Sequence, residues 1–455
     1  MNEKVTPHAG PAGIVWPVVP ALADSIVFAL LFQFEQSQWW PEKRLAEYQF
    51  RQLEALIAHA VATTPYYRDA LSGLVPAPGS LGPEAFRRFP FLTRSVLQER
   101  ADALKSEALA KDHGKPHEVH SSGSTGRPVS VALSEINALI NRALNMRYHL
   151  WHKRDFRGKV AAIVVMRSAE LAQSAESEAP ARWVFGFPSG PMLYCDILKP
   201  ISEQIAWLQR IEPDYMLTYP TNLRALLEES ARTGFKPQRL REAALMGEIV
   251  DPDIFELGRA VWGIDVSASY SAMEVGVMSM QCRECGTHHI QSESVLVEVV
   301  DDDGAQCAPG QVGHVVVTDL HNFAMPLIRY KIGDFAEVGF GCGCGRGLPT
   351  LTRIIGRARN MFTLPSGEKF WPYAFRVGEL EKIAPIRQLQ LVQRTTRRID
   401  IKLVTDAPLS PDVEAQLRAY FAGVIRHRFD LNFLYVDEIP RTAGGKYEDY
   451  VSEVV

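Results

Sequence analysis

Four hydroxyl side chains and two glycines fall within the nine residues His120-Ser121-Ser122-Gly123-Ser124-Thr125-Gly126-Arg127-Pro128. Small residues let backbone N–H groups close around an anion and the hydroxyls add donors, so the segment has the makings of a phosphate cradle. It lacks the G-x-x-x-x-G-K-[ST] spacing of a P-loop, and no G-x-G-x-x-G opens a helix after a strand. On residue types alone, an ordinary surface turn explains it as well. Sulfur makes a second chemistry-bearing set. Cys282-Arg-Glu-Cys285-Gly is a C-x-x-C-G knuckle, and Cys342-Gly-Cys344-Gly supplies another pair flanked by glycine. Four thiols on two loops suit one closed, tetrahedral and therefore structural zinc ion. The competing reading is free thiols or a redox pair, and six cysteines in 455 residues do not form a secreted disulfide framework. Cys195 and Cys307 have no partner in the sequence and are expected to be buried or inert.

These segments need a scaffold, and a chain of 455 residues exceeds what one hydrophobic core serves, so at least two domains are expected. Lys and Arg number 49 against 53 Asp and Glu, interspersed to a net charge of −4, which argues against a nucleic-acid partner and for a small molecule. The apolar run Val18–Phe32 is broken by Pro20 and Asp24 and falls short of the roughly 20 residues of a membrane span. No basic region precedes it, so neither a signal peptide nor a membrane anchor is expected and the chain reads as cytoplasmic. Apolar spacing predicts an amphipathic helix from Trp40 that ends at Thr64-Pro65, and a helix over Ser134–His152 with Ser134 as N-cap. Val160–Val165 is a continuous apolar run suited to a strand buried on both faces. Short runs at Met216, Ala243 and Asp265, each leading into a turn or helix, continue the alternation of an α/β sheet. Val295–Val300 and Gly313–Thr318 read as antiparallel strands around a turn at Asp301–Gly304. The last hundred residues read as a small α+β domain, with strands at Gln388–Gln393, Arg398–Val404 and Phe433–Val436 and a helix at Pro411–Arg426.

In open α/β sheets ligands bind beyond the carboxyl ends of the strands, which directs attention to the polar residues there. Met246-Gly247-Glu248 follows one apolar run, and Tyr270-Ser271-Ala272-Met273-Glu274 follows another. Further on stand Tyr330-Lys331-Ile332-Gly333-Asp334, Ile355-Gly356-Arg357 and Pro440-Arg441-Thr442-Ala443-Gly444-Gly445-Lys446. Together with Ser121–Pro128, in this order, they resemble the motifs of the adenylate-forming (AMP-binding) superfamily, the acyl-CoA synthetases and their relatives, in the form typical of phenylacetate–CoA ligases. The resemblance covers about three quarters of the chain. It implies a large N-terminal domain, residues 1–358, with parallel and mixed sheets flanked by helices and a β-barrel-like part. It also implies a small mobile α+β lid, residues 359–455.

The same resemblance distributes roles. Ser121, Ser122, Gly123, Ser124, Thr125 and Gly126 would hold the triphosphate of ATP. Gly247 and Glu248 would lie near the adenine, with Tyr270 along it, while either Ser271 supplies a hydroxyl near phosphate or the phosphate contacts rest more on the loop. Asp334 and Arg357 would meet the ribose, and Glu274 would hold Mg²⁺. Lys446 would approach the reacting carboxylate and α-phosphate, so that Lys446, Glu274 and Thr125 make the catalytic set. The chemistry is consistent with these residue types. Attack of a carboxylate on the α-phosphorus brings two anions together, so the site must supply cations and donors, while no general base is needed for an acid already ionised. The product is an acyl-adenylate, pyrophosphate leaves, and coenzyme A then takes the acyl group as a thioester. A hinge is implied at Arg359, where relatives carry Asp or Lys, and Leu364–Lys369 would serve the second step. A second departure is Met273, which stands where relatives place Thr or Ser and cannot donate a hydrogen bond.

Relatives place the acid near Tyr148, Phe185, Phe187, Leu245, Ala272 and Met273, and an aromatic acid is the family's usual substrate. A carrier protein or an amine stays open as the acceptor, as does a non-catalytic nucleotide-binding relative. A homodimer also stays open, because no residue pattern sets the oligomeric state. Some relatives carry a zinc site with a histidine ligand, so His288 or His289 is an alternative to Cys285 beside Cys282, Cys342 and Cys344.

Overall fold

The computed structural model describes residues 10–14, 16–121, 129–166, 181–357, 361–370, 380, 383–425, 427–441, 447 and 450–454. They divide into two compact units, Met1–Ile355 and Gly356–Val455. No helix among the described residues is long and apolar enough to cross a membrane.

The first unit is organised by one sheet of twelve strands. Its parallel part runs Asp265–Ala272, Glu242–Leu245, Tyr215–Thr218, Val160–Val164 and Pro191–Asp196. Every residue of Val160–Val164 is buried, as the unbroken apolar run requires of a strand covered on both faces. On the other side of Asp265–Ala272 the sheet turns antiparallel through Gly276–Gln281, His288–Ile290 and Thr350–Arg357. It ends on Tyr330–Val338, Val312–Asp319 and Val295–Val300.

Helices cover the sheet. The expected long helix spans Glu42–Thr63, with Leu53, Leu56 and Ile57 buried, each contributing about 1.5–3 kcal/mol. It stops where Pro65 forces Thr64 into extended backbone, φ −115°, and a short helix Pro65–Ala70 follows. The helix Glu135–Trp151 starts after Ser134, whose backbone N–H donates to Asn137 Oδ1 at 3.0 Å. An unexpected helix, Leu22–Ser37, packs on Glu135–Trp151 and buries Val27 and Phe34 in the same apolar cluster as Ile140 and Leu144.

The second unit is the small α+β fold that the sequence suggests. Its four strands run in the order Asp430–Tyr435, Arg398–Thr405, Ile386–Thr395, Tyr450–Ser452. The helix Pro411–Ile425 contributes Leu417 and Phe421 to a core shared with Leu391, Ile399, Ile401 and Leu403. A separate hairpin pairs Phe362–Thr363 with Lys369–Phe370, and Gly367, at φ +86°, permits its turn.

A buried ionic network ties the helix Glu135–Trp151 and the residues after it to the start of the parallel strands. Arg154 donates to both carboxylate oxygens of Glu242, at 3.0 and 2.6 Å, and His152 Nδ1 lies 3.2 Å from Glu242. Ser267 donates to the same carboxylate, and Tyr148 donates to Ser267 Oγ at 2.9 Å. Burial opposes the charge on Glu242, but the bond from His152 and the Arg154 guanidinium outweigh it and hold the carboxyl well below its usual range. His149 accepts from Arg154 at 2.8 Å; burial first, then Arg154, keeps its imidazole neutral.

Glu242→Gln should therefore destabilise the chain by about 3–5 kcal/mol in urea unfolding, because a buried cation loses its partner. The folded carboxyl value is depressed, so this contribution is complete above the ordinary value of 4.5 and fades as pH falls below it. The stability gap between wild type and Glu242→Gln should narrow in the same direction. A gap independent of pH down to acid unfolding would show that the ion pair is not its source.

Candidate active site

The Ser/Gly-rich segment lies, in the sequence, between two strands that pair with each other. His117–His120 pairs antiparallel with Ser130–Leu133, with His120 opposite Ser130. Ser121 closes the base of the loop, because its backbone N–H donates to Val129 O at 2.9 Å and its Oγ accepts from Val129 N at 2.9 Å. Ser122, Gly123, Ser124, Thr125 and Gly126 lie outside the described residues, as do Lys446 and Arg359.

Two expected residues 64 positions apart meet directly. Tyr270, on the strand Asp265–Ala272, donates from its hydroxyl to Asp334 Oδ2 at 2.8 Å, and Asp334 sits in the strand Tyr330–Val338. Gly333 precedes it at φ +91°, a conformation that glycine adopts without strain. Ser271, next to Tyr270, is exposed. Glu274 follows in the turn into Gly276–Gln281 and is buried. That turn depends on Gly276, at φ +73°, where a Cβ would stand 2.2 Å from Asn141 Oδ1. The same Asn141 oxygen accepts from Val277 N at 3.1 Å.

Gly247 turns the chain at φ +82° after the strand Glu242–Leu245. Glu248 Oε2 accepts from the backbone N–H of Thr221 at 3.0 Å and from its hydroxyl at 2.7 Å. It therefore places a carboxylate at the N-terminus of the helix Pro220–Thr233, where the helix dipole favours negative charge. Arg357 closes the strand Thr350–Arg357 and belongs to the second unit.

One charged residue in this region escaped the sequence motifs. Arg94 Nη1 lies 3.6 Å from Glu274 Oε1, and its Nη2 donates to Ser121 Oγ at 3.1 Å. No local pattern marks it, because its partners come from segments 27 and 180 residues away.

Of the expected acid-pocket residues, Tyr148, Phe185 and Phe187 belong to one apolar cluster, while Leu245 and Ala272 belong to two others. Tyr148 is buried within the Glu242 network, Leu245 lies in the core with Ala243 and Ala268, and Ala272 is half-buried. Met273 is 56% exposed. Phe187 packs on Phe28 of the unexpected helix, ring centres 5.1 Å apart, and on Phe156 at 5.5 Å. Arg142 lies 4.3 Å over the Phe185 ring.

Sulfur and nitrogen ligand atoms converge elsewhere in the unit. Cys282, His289, Cys342 and Cys344 present ligand atoms that all lie within 4.8 Å of one another. His289 Nδ1 faces Leu348 O at 3.2 Å, which leaves Nε2 toward Cys344 Sγ at 3.3 Å. A histidine oriented through its other nitrogen in this way is a usual metal-ligand arrangement. His288 turns instead to Ser279 Oγ at 3.2 Å. Cys285 is disulfide-bonded to Cys342. Three thiols and an imidazole fit tetrahedral zinc, with Cys342 available as a thiolate once that disulfide is reduced. Cys195 and Cys307 are buried free thiols.

No family model matches the chain. It is 28% identical over 351 residues to the phenylacetate–coenzyme A ligase of Thermus thermophilus, covering 71% of this chain and 73% of that one. With the phenylacetate–coenzyme A ligase of Pseudomonas putida it shares 24% identity over 404 residues, covering 82% of each. Its fold matches that of 2-hydroxyisobutyryl-CoA ligase, in the postadenylation state with an acyl-AMP, at a TM-score of 0.71. That match has 17% identity and covers 92% of this chain and 91% of the other.

The Tyr270–Asp334 bond carries a direct expectation. Tyr270→Phe should weaken AMP binding by about two- to tenfold in calorimetric titration, the worth of one hydrogen bond. Asp334→Ala should weaken it further. AMP affinity unchanged in both variants would detach the pair from a nucleotide.

Proposed function

We propose, from the premise that this chain is a homologue of the phenylacetate–coenzyme A ligases with the fold of the adenylate-forming acyl-CoA ligases, that it activates a carboxylic acid with ATP and transfers it to coenzyme A. The observation that carries this reading is the meeting of Tyr270 with Asp334, beside Glu274 and Ser121 linked through Arg94. These contacts between separate motif segments support a polar site near the carboxyl ends of strands, where a nucleotide binds in an open sheet.

The first step forms an anhydride between the acid and AMP and releases pyrophosphate. Asp334, held by Tyr270, accepts from the ribose hydroxyls, and Arg357 serves the ribose or phosphate. Glu274 would hold Mg²⁺, and that ion would supply charge neutralisation that no side chain matches. Amides and hydroxyls of Ser121–Gly126 grip the triphosphate as its charge redistributes, and Lys446 adds a compact point charge at the reacting carboxylate. Coenzyme A then attacks the acyl carbon and AMP leaves. The lid from residue 359 onward withdraws Lys446 between the two steps. An aromatic acid agrees with the names of the relatives and with the rings of Phe28, Phe156 and Phe187 packed together in the first unit.

Pyrophosphate release should depend on one member of a panel of aryl and arylalkanoic acids, and AMP and a thioester should follow when coenzyme A is added. Lys446→Ala should lose adenylation by about a hundredfold or more, while a supplied acyl-adenylate still reacts with coenzyme A. Unchanged pyrophosphate release would remove Lys446 from the first step. Release with no thiol-dependent turnover would point to a carrier protein or amine as acceptor.

The thiol–imidazole group is the further part of this reading: Cys282, Cys342, Cys344 and His289 hold a structural zinc ion that joins the loop after Gly276–Gln281 to the loop before Thr350–Arg357. Chain purified under reducing conditions should carry about one zinc by elemental analysis, and His289→Ala and Cys344→Ser should lower both zinc content and melting temperature. Full occupancy in both variants would return the ligand role to Cys285.

A further inference from the structure

Arg94 stands where three segments meet. It opens the short helix Arg94–Glu99, behind Thr93, whose hydroxyl accepts from Val96 N at 3.3 Å. Two residues earlier the chain is paired with the sheet: Leu92 N donates to Arg329 O at 3.0 Å, and Lys331 N donates to Leu92 O at 2.9 Å. The root of the side chain is thus fixed against the strand that carries Asp334. Its guanidinium reaches the base of the Ser/Gly loop through Ser121 and reaches Glu274 across 3.6 Å. That separation exceeds a hydrogen bond, so charge alone maintains the contact with Glu274. Glu274 has 7% of its side chain exposed, and a carboxylate so enclosed needs a counter-charge. Arg94 keeps 21% of its side chain exposed and remains reachable from outside.

We infer that Arg94 belongs to the triphosphate site. It neutralises Glu274 while the site is without nucleotide, and pairs with the β- and γ-phosphates once a divalent ion takes over that carboxylate. The inference rests on the adenylating reading above. Its geometry favours the polyphosphate end, because Ser121 and Glu274 are among Arg94's partners, whereas Tyr270 and Asp334 pair with each other. A planar guanidinium can exchange a carboxylate for a phosphate without changing its bonding pattern, since both offer paired oxygens to its fork.

The test is calorimetric titration of the full chain, wild type, Arg94→Gln and Arg94→Lys, with ATP·Mg²⁺ and separately with AMP. Arg94→Gln should bind ATP·Mg²⁺ about ten- to a hundredfold more weakly while its AMP affinity changes by less than about twofold, and Arg94→Lys should recover part of the loss. Equal affinities of wild type and Arg94→Gln for ATP·Mg²⁺ would overturn the assignment. So would equal losses for ATP and AMP, or equal losses in the two variants with lowered melting temperatures, since those mark a scaffold contact. Wild type that binds neither nucleotide would refute the adenylating reading itself.

Discussion

The geometry around the site depends on one buried guanidinium. Arg329 is 1% exposed and donates to both oxygens of Glu298, at 3.0 and 2.9 Å. Its remaining fork donates to Arg87 O at 2.6 Å and Phe89 O at 2.7 Å. Burial pushes the Glu298 carboxyl above its usual value, against the pull of Arg329, so desolvation is a real cost here. A second cost is backbone strain: Arg329 sits at φ +51°, a left-handed conformation that costs a non-glycine residue roughly 1–2 kcal/mol. The return is positional. The carbonyls of Arg87 and Phe89 are satisfied by Arg329, whose own C=O accepts from Leu92. Phe91 is then covered by the Arg329 guanidinium at 4.2 Å and the Lys331 ammonium at 4.3 Å. A largely apolar segment outside the sheet is thereby anchored to the strand of Asp334.

A second ionic cluster performs the complementary task at the opposite ends of the parallel strands. Glu242 opens its strand, and Ser267 lies near the start of the next, so Arg154 and Tyr148 bind the helix Glu135–Trp151 to the amino ends of two strands. Fixed charges thus anchor the amino ends, and Gly247, Glu248 and Tyr270 lie at the carboxyl ends. The helix spans the two: Asn141, two turns before Tyr148, meets the turn that holds Glu274. Its position cannot drift without disturbing that carboxylate.

What was legible in the sequence was local. Val160–Val164 announced a doubly covered strand through its composition, and Pro65 announced the end of the helix Glu42–Thr63 through its steric demand on Thr64. The segments around Tyr270 and Asp334 were legible as motifs, although their mutual hydrogen bond was not. The helix Leu22–Ser37 was hidden because Leu22 and Phe32 remain exposed while Val27 and Phe34 are buried, which blurs any two-sided pattern. The choice of His289 was hidden for another reason. C-x-x-C spacing points to Cys285, whereas the pairing of His288–Ile290 with both Gly276–Gln281 and Thr350–Arg357 is what sets His289 between the two cysteine loops. Arg94 was least visible of all, since everything that defines it is tertiary.

Met273 connects these observations to the chemistry. On the proposed reading a hydroxyl would be expected before the carboxylate of Glu274; here a thioether occupies that position and is more than half exposed. A thioether is a poor acceptor and no donor, so the segment Tyr270–Glu274 presents one donor fewer to an anion. A guanidinium beside Glu274 comes from a segment outside the sheet, held there by Leu92 and Arg329. Exchange of a neutral hydroxyl for a cation changes the balance of the site as well as its bonding. A cation also neutralises the buried carboxylate when no divalent ion is present, which a hydroxyl cannot do. On the proposed reading, the strained backbone at Arg329 and the thioether at Met273 belong to one arrangement, in which a strand-paired segment would deliver part of the site's positive charge.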